Sequence, residues 1–136
     1  MAANTQPIFT LTPRISWGSA LTAANTNMDG TGTVTGVFTA GANGSFLKAV
    51  QFRPLGTNVS TVARVFINNG STNTVAANNA IVGEVTIPAS TASNTTQQPD
   101  FIVPLNFALP ATYVVNVTIG TAVAAGIMAS VVGGDY

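Results

Sequence analysis

Eight short runs of alternating apolar and polar residues, each cut off by Gly, Asn or Pro, constrain this chain more than any other feature. Side chains that alternate with a period of two belong to half-buried strands, whereas a helix needs apolar positions every three to four residues. No helical period runs through any stretch. The runs are PIFTLTPRISW (7–17), GTVTGVFTA (32–40), SFLKAVQFR (45–53), STVARVFIN (60–68), NAIVGEVTIP (79–88), DFIVPLNFAL (100–109), TYVVNVTIG (112–120) and AVAAGIMASVV (122–132). Eight strands at near-regular spacing in 136 residues predict a single all-β domain over 1–136. One antiparallel β-sandwich is the economical packing, and the eight-stranded jelly roll is its commonest form. No internal repeat and no linker divides the chain. The polar start MAANTQ (1–6) and the glycine-bearing end (133–136) read as flexible arms.

Within the runs, phase assigns faces. Phe9, Leu11 and Ile15 alternate with Thr10, Thr12 and Arg14, and Pro13 marks this run as an edge strand or a bulge. Asn43-Gly44 is a hairpin signal between the second and third runs. Val50 and Phe52 define the apolar face of the third run. Ile81, Val85 and Ile87 share one face of the fifth, opposite Glu84 and Thr86, and Tyr113, Val115, Val117 and Ile119 share one face of the seventh. Most of the seven Phe residues fall in core phase. ASTASNTTQQP (89–99) is a polar loop longer than ordinary hairpin connections.

The fourth run raises a problem of its own. Val62, Arg64 and Phe66 lie on one face, and Ala63, Val65 and Ile67 on the other, so both faces are apolar. One is expected to meet the core and the other a neighbour. Arg64, alone in this setting, is expected to pair with Glu84 across strands or to reach a partner's carboxylate, since arginine is enriched at interfaces. The bland alternative is a surface arginine with its stem laid along apolar neighbours.

Composition removes most chemistry. The chain has no His and no Cys, which excludes His-dependent acid–base catalysis, thiol nucleophiles and most transition-metal sites. The acidic groups are Asp29, Glu84, Asp100 and Asp135, and the basic ones Arg14, Lys48, Arg53 and Arg64, for a formal net charge of +0. That balance offers no footprint for nucleic acid, which is bound by neutralising phosphates. No apolar run approaches the roughly 18 to 20 residues of a membrane helix, and the start lacks the features of a signal peptide. Charged residues make up 6% of the chain, against about 25% in ordinary domains, and the mean hydropathy is +0.41. A surface so poorly protected against association is expected to be covered by other protein in use. NMDGTG (27–32) has part of a calcium loop but not its further acidic ligands, and reads as a turn. GTGTVTG (30–36) has no Lys to hold a phosphate. No catalytic residue, metal site or cofactor is expected, although a glycosidase pair of Glu84 with Asp100 remains as an enzyme alternative.

FTAGANGSFLKAVQFRPLGTNVSTVARVFINNG (38–70), GEVTIPA (83–89), LNFALP (105–110), GTAVAAG (120–126) and VGGDY (132–136) resemble the small β-sandwich proteins encoded beside the major capsid gene of tailed bacteriophages. The resemblance implies a capsid cement, or decoration, protein of the virion. Such a protein sits on the outer surface of the capsid and bridges major capsid protein subunits, and it associates with itself as a homodimer or homotrimer. It needs neither nucleic acid nor membrane as a partner. Candidate contacts to the capsid or within the oligomer are Arg14, Trp17, Arg53, Arg64, Asp135 and Tyr136, the few charged or large aromatic groups outside core phase. The rival reading is a tail or head-fibre module that binds host-surface glycan, for instance through the 89–99 loop.

Overall fold

A computed structural model describes residues 9–136; the expected arm at 1–6 and the first two residues of the first run lie outside them. Eight strands form: β1 (Thr12–Trp17), β2 (Thr35–Thr39), β3 (Ser45–Pro54), β4 (Thr61–Asn68), β5 (Asn79–Ile87), β6 (Phe101–Leu109), β7 (Val114–Ile119) and β8 (Ile127–Asp135). They make two antiparallel four-stranded sheets, ordered β1-β8-β3-β6 and β2-β7-β4-β5. The ladders β1·β8, β2·β7, β3·β6 and β4·β5 describe one long hairpin of strand pairs. Rolling that hairpin brings β8 beside β3 and β7 beside β4, which is the jelly-roll arrangement.

The core lies between the sheets. Leu47, Val50 and Phe52 of β3, Ala63 and Val65 of β4, Val115, Val117 and Ile119 of β7, and Ile127, Ala129 and Val131 of β8 are buried there. Val50, Phe52 and the inward face of β7 lie where their phase puts them. Leu47 does not. It lies in the opposite phase to Val50 but is also fully buried, because a register shift between Leu47 and Ala49 inserts Lys48 as an extra residue. A bulge of this kind resets the alternation and turns its spare side chain outward.

The same device corrects the fifth run. A shift between Val65 and Phe66 sets Phe66 against Ile81, leaving Val82 as the extra residue. Ile81 therefore leaves the face of Val85 and Ile87 and joins the outward one. On β6, Asn106 adopts φ 55, a left-handed conformation that Asn tolerates well, where the register against β3 shifts, and Leu105 beside it packs against the core.

Three further expectations need correction. The Asn43-Gly44 turn forms, with Gly44 at φ 84, but it joins strands of opposite sheets, so β2 and β3 do not pair. The eighth strand starts at Ile127, because residues 122–126 turn through Gly126 at φ 87. Residues 133–135 are not an arm. They finish β8 between β1 and β3, and Tyr136 N donates to Gly44 O. The glycines there serve packing: a side chain on Gly133 would strike the Phe46 carbonyl.

Candidate functional site

The two sheets treat their outward faces differently. On β2-β7-β4-β5 the outward residues Phe66, Asn116 and Thr118 are buried, although Phe66 lies outside the core cluster. The roof is the chain's own β1–β2 connection, residues 18–34. It bridges at Ala24 to Ile119 of β7, and Asn25 N donates to Ile119 O. It stands over Thr118 around a hollow of about 130 Å³ lined by Ala20–Ala23, Thr33 and Thr35. It then reaches the β4–β5 loop, where Asn73 Nδ2 donates to Gly30 O and Gly32 O. Asn25 Nδ2 donates to Thr31 O and Thr33 O, which fixes the fold of the connection itself. The second apolar face of β4 is thus buried by this chain and not by a neighbour.

Arg64 lies on the same outward face of β4, its guanidinium beside Gly120. Its Nε stands 3.4 Å from Glu84 Oε2, with side chains 14% and 52% exposed. The pair follows from register, since Arg64 faces Glu84 on one side and Thr118 on the other. The contact balances charge without satisfying the donors: Arg64 Nε and Nη1 and Thr118 Oγ1 are buried with no hydrogen-bond partner among the described residues.

Arg14 and Asp135 also have partners inside the fold. Arg14 points inward from β1, and its Nη1 donates to Thr39 O of the opposite sheet at 2.8 Å and to Asp135 Oδ1 at 3.1 Å. Its guanidinium carbon lies 4.2 Å from the centre of the Phe38 ring. Asp135 Oδ1 accepts from Ser45 Oγ, which in turn accepts from Gly41 N. The Ser45 hydrogen bond, aided by Arg14 and opposed by partial burial, holds the Asp135 carboxyl below its ordinary range. This clasp ties the edge of one sheet to the edge of the other.

The outward face of β1-β8-β3-β6 has no roof among the described residues. Register lays its side chains in rows. Ile15, Val132, Ala49 and Pro104 form one row, and Trp17, Ser130, Gln51 and Ile102 the next. Ile15 is 67% exposed, Trp17 64% and Ile102 60%, and Phe9 and Leu11 extend the apolar strip past the start of β1. A shallow hollow of about 210 Å³, lined by Phe9, Thr10, Phe46 and Tyr136, closes one corner. The charges near this face are few: Lys48 at its bulge, and Arg53 with Asp100 at 3.0 Å, whose half-exposed pairing neutralises both. The expected core phase of the Phe residues fails at Phe9, Phe46 and Phe66, which lie outside the core cluster, and at Phe9 the reason is plain. The apolar side of β1 looks out, and its polar side, with Arg14, looks in.

Of the six residues singled out in the sequence, Trp17, Arg53 and Tyr136 belong to this bare face. Arg14 and Asp135 form the clasp, and Arg64 lies on the outward face of the other sheet beside Glu84. Phase alone hid Ile15, Val132 and Ile102, because an alternating strand does not say which side is the core.

Among the described residues, no arrangement for acid–base chemistry accompanies the face, and no three acidic groups approach closely enough to hold a metal ion. Asp29 Oδ1 accepts from Thr31 N and Thr31 Oγ1, with Gly30 at φ 79, so NMDGTG folds as a turn. Those hydrogen bonds hold the Asp29 carboxyl below its ordinary range. The 89–99 loop contains no aromatic residue and is pinned to the β3–β4 loop. Ser90 exchanges backbone hydrogen bonds with Asn58, and Gln98 Nε2 donates to Gly56 O. No protein-family model matches the chain, and no curated protein or solved structure matches it significantly.

Proposed function

We propose that this chain is a structural docking protein, a capsid cement protein that seats its bare sheet on the outside of a phage shell and bridges major capsid protein subunits. One observation carries the reading. A chain that roofs one sheet with its own loop leaves the other sheet, among the described residues, apolar, nearly uncharged and uncovered. Contiguous exposed apolar surface on this scale marks an interaction site. A face four strands wide and some nine residues long has a projected area of roughly 570 Å² from strand spacing and rise. That is most of the ~800 Å² per partner in a standard interface. Aromatic anchors suit such docking, since Trp17 is 64% exposed at the end of β1 and the Phe9–Tyr136 hollow accepts a side chain from the partner. Binding to the assembled shell and not to its free subunits would stabilise the shell by mass action.

The test is the copy number per purified virion, by quantitative mass spectrometry against the major capsid protein. A simple ratio to capsid protein supports the reading. Absence from particles, or a handful of copies, overturns it. Ile102→Lys and Val132→Lys on the exposed face are expected to leave the fold intact and abolish attachment.

A further inference from the structure

We propose that Lys48 is the residue by which the bare face selects its partner, through an ion pair with a carboxylate set among apolar side chains on that partner. The chain carries four cationic and four acidic side chains. Three of each pair inside the fold, as Arg14 with Asp135, Arg53 with Asp100 and Arg64 with Glu84. Asp29 accepts hydrogen bonds from Thr31 within its own turn, on the connection that roofs the opposite sheet. Lys48 is what remains. It is the chain's single lysine and it is exposed, and none of the ion pairs among the described residues includes it. Residues 1–8 contain no Asp or Glu that could serve it.

The fold gives Lys48 a special place. β3 lies between β8 and β6, and both of its ladders shift register between Leu47 and Ala49, the two neighbours of Lys48. Bulges gather at sheet edges or beside functional sites, where they re-aim a side chain. This one interrupts a central strand on both sides, and the side chain it turns outward is the unpaired cation. Ala49 follows it, in one row with Val132 and Pro104. Two residues before it, Phe46 lines the corner hollow.

These surroundings fix the chemistry of the partner. Nucleic acid and anionic membranes are bound by many cations acting together, and one lysine on an apolar strip is a single cation. A protein surface that is apolar and presents one Asp or Glu matches the strip and the charge at once. Charges across an interface contribute to specificity and to the rate of encounter more than to affinity. The apolar rows fit many surfaces. Lys48 discriminates among them, because a partner without the carboxylate leaves the ammonium group desolvated and unpaired.

This inference rests on the docking reading, and its test separates the two. Shells purified from virions lacking this protein are titrated with the wild-type chain and with Lys48 variants. Thermal melts of each variant are expected to match wild type, since Lys48 is an exposed side chain. Lys48→Met keeps the apolar stem and is expected to weaken attachment about tenfold. Lys48→Glu sets like charges together and is expected to weaken it at least about a hundredfold. Lys48→Arg should retain most of it. Raising salt from about 0.05 M to about 0.5 M should weaken attachment of the wild type and leave that of Lys48→Met unchanged. A carbodiimide, which condenses an amine with a carboxylate in direct contact, should join Lys48 to one Asp or Glu of the capsid protein in assembled particles. Equal attachment of the wild type, Lys48→Met and Lys48→Glu overturns the inference and leaves docking standing, with Lys48 a guard against aggregation. A Lys48 crosslink to a carboxylate on another copy of this chain also overturns it. Failure of the wild-type chain to attach overturns the docking reading and this inference with it.

Discussion

Asp135→Asn replaces a carboxylate by its neutral isostere at the centre of the clasp. Asp135 accepts hydrogen bonds from Ser45 Oγ and from Arg14 Nη1, at 3.1 Å for the latter. A hydrogen bond to a charged group contributes about 1.5–3 kcal/mol. The Arg14 and Asp135 side chains are 30% and 24% exposed, so solvent screens part of that. The expected cost at pH 7 is about 2 kcal/mol, or a fall in Tm of about 6–10 °C for a domain of this size. The pH dependence discriminates more sharply. The native carboxyl is more acidic than the ordinary value of 3.8. Between the two pKa values the unfolded state binds the extra proton, so stability rises with pH there. The clasp's contribution is complete above about pH 5 and vanishes as pH falls through the native pKa. Calorimetric melts of both proteins from pH 7 to pH 2 should show two Tm curves that converge in acid. A gap that stays constant to pH 2, or no gap at pH 7, would refute the assignment of stability to the charged carboxylate.

Glu84→Gln leaves Arg64 without its counter-charge in a mostly buried position and is expected to cost about 1–3 kcal/mol; chemical denaturation should show the Arg64→Met/Glu84→Gln double variant closer to wild type than Glu84→Gln alone. Phe66→Ala, under the roof, is expected to cost about 3–5 kcal/mol, whereas Ile102→Ala on the bare face should change the unfolding midpoint by less than about 0.5 kcal/mol. Thr118→Val removes a buried hydroxyl that has no partner among the described residues, so thermal melts should find it neutral or stabilising.

The pattern of strands was legible because period two survives in each run, and the turn residues between runs are Gly, Asn and Pro. Arg64 with Glu84 was legible too, as a lone cation and a lone anion on neighbouring strands. What phase misjudged traces to single inserted residues. Lys48 and Val82 each add one residue to a strand, and each addition swaps the faces beyond it. FLKAV does carry a hint, since Lys48 occupies the phase that Val50 and Phe52 would assign to the core. The bare face was harder to foresee. Ile15 and Val132 look like core residues in any local window, and only the 18–34 connection, which covers one sheet and spares the other, decides which apolar faces meet water. The glycines of VVGGDY read as slack for a similar reason. A glycine that lets a carbonyl approach and a glycine in a flexible tail look alike until the opposing strand is known.

The place of β8 in its sheet has a consequence for how the protein is made. Strand β8 lies between β1 and β3, so residues 12–17 have no backbone partner until residues 127–135 have been synthesised. Until then the nascent chain holds an open edge on β3 and an unpaired, apolar first strand. Assembly waits until residues 127–135 have left the ribosome, and pairings this distant in sequence form slowly. Deletion of residues 133–136 removes Asp135 from the clasp and shortens a central strand. It should therefore yield aggregated chain, not a shortened but folded domain.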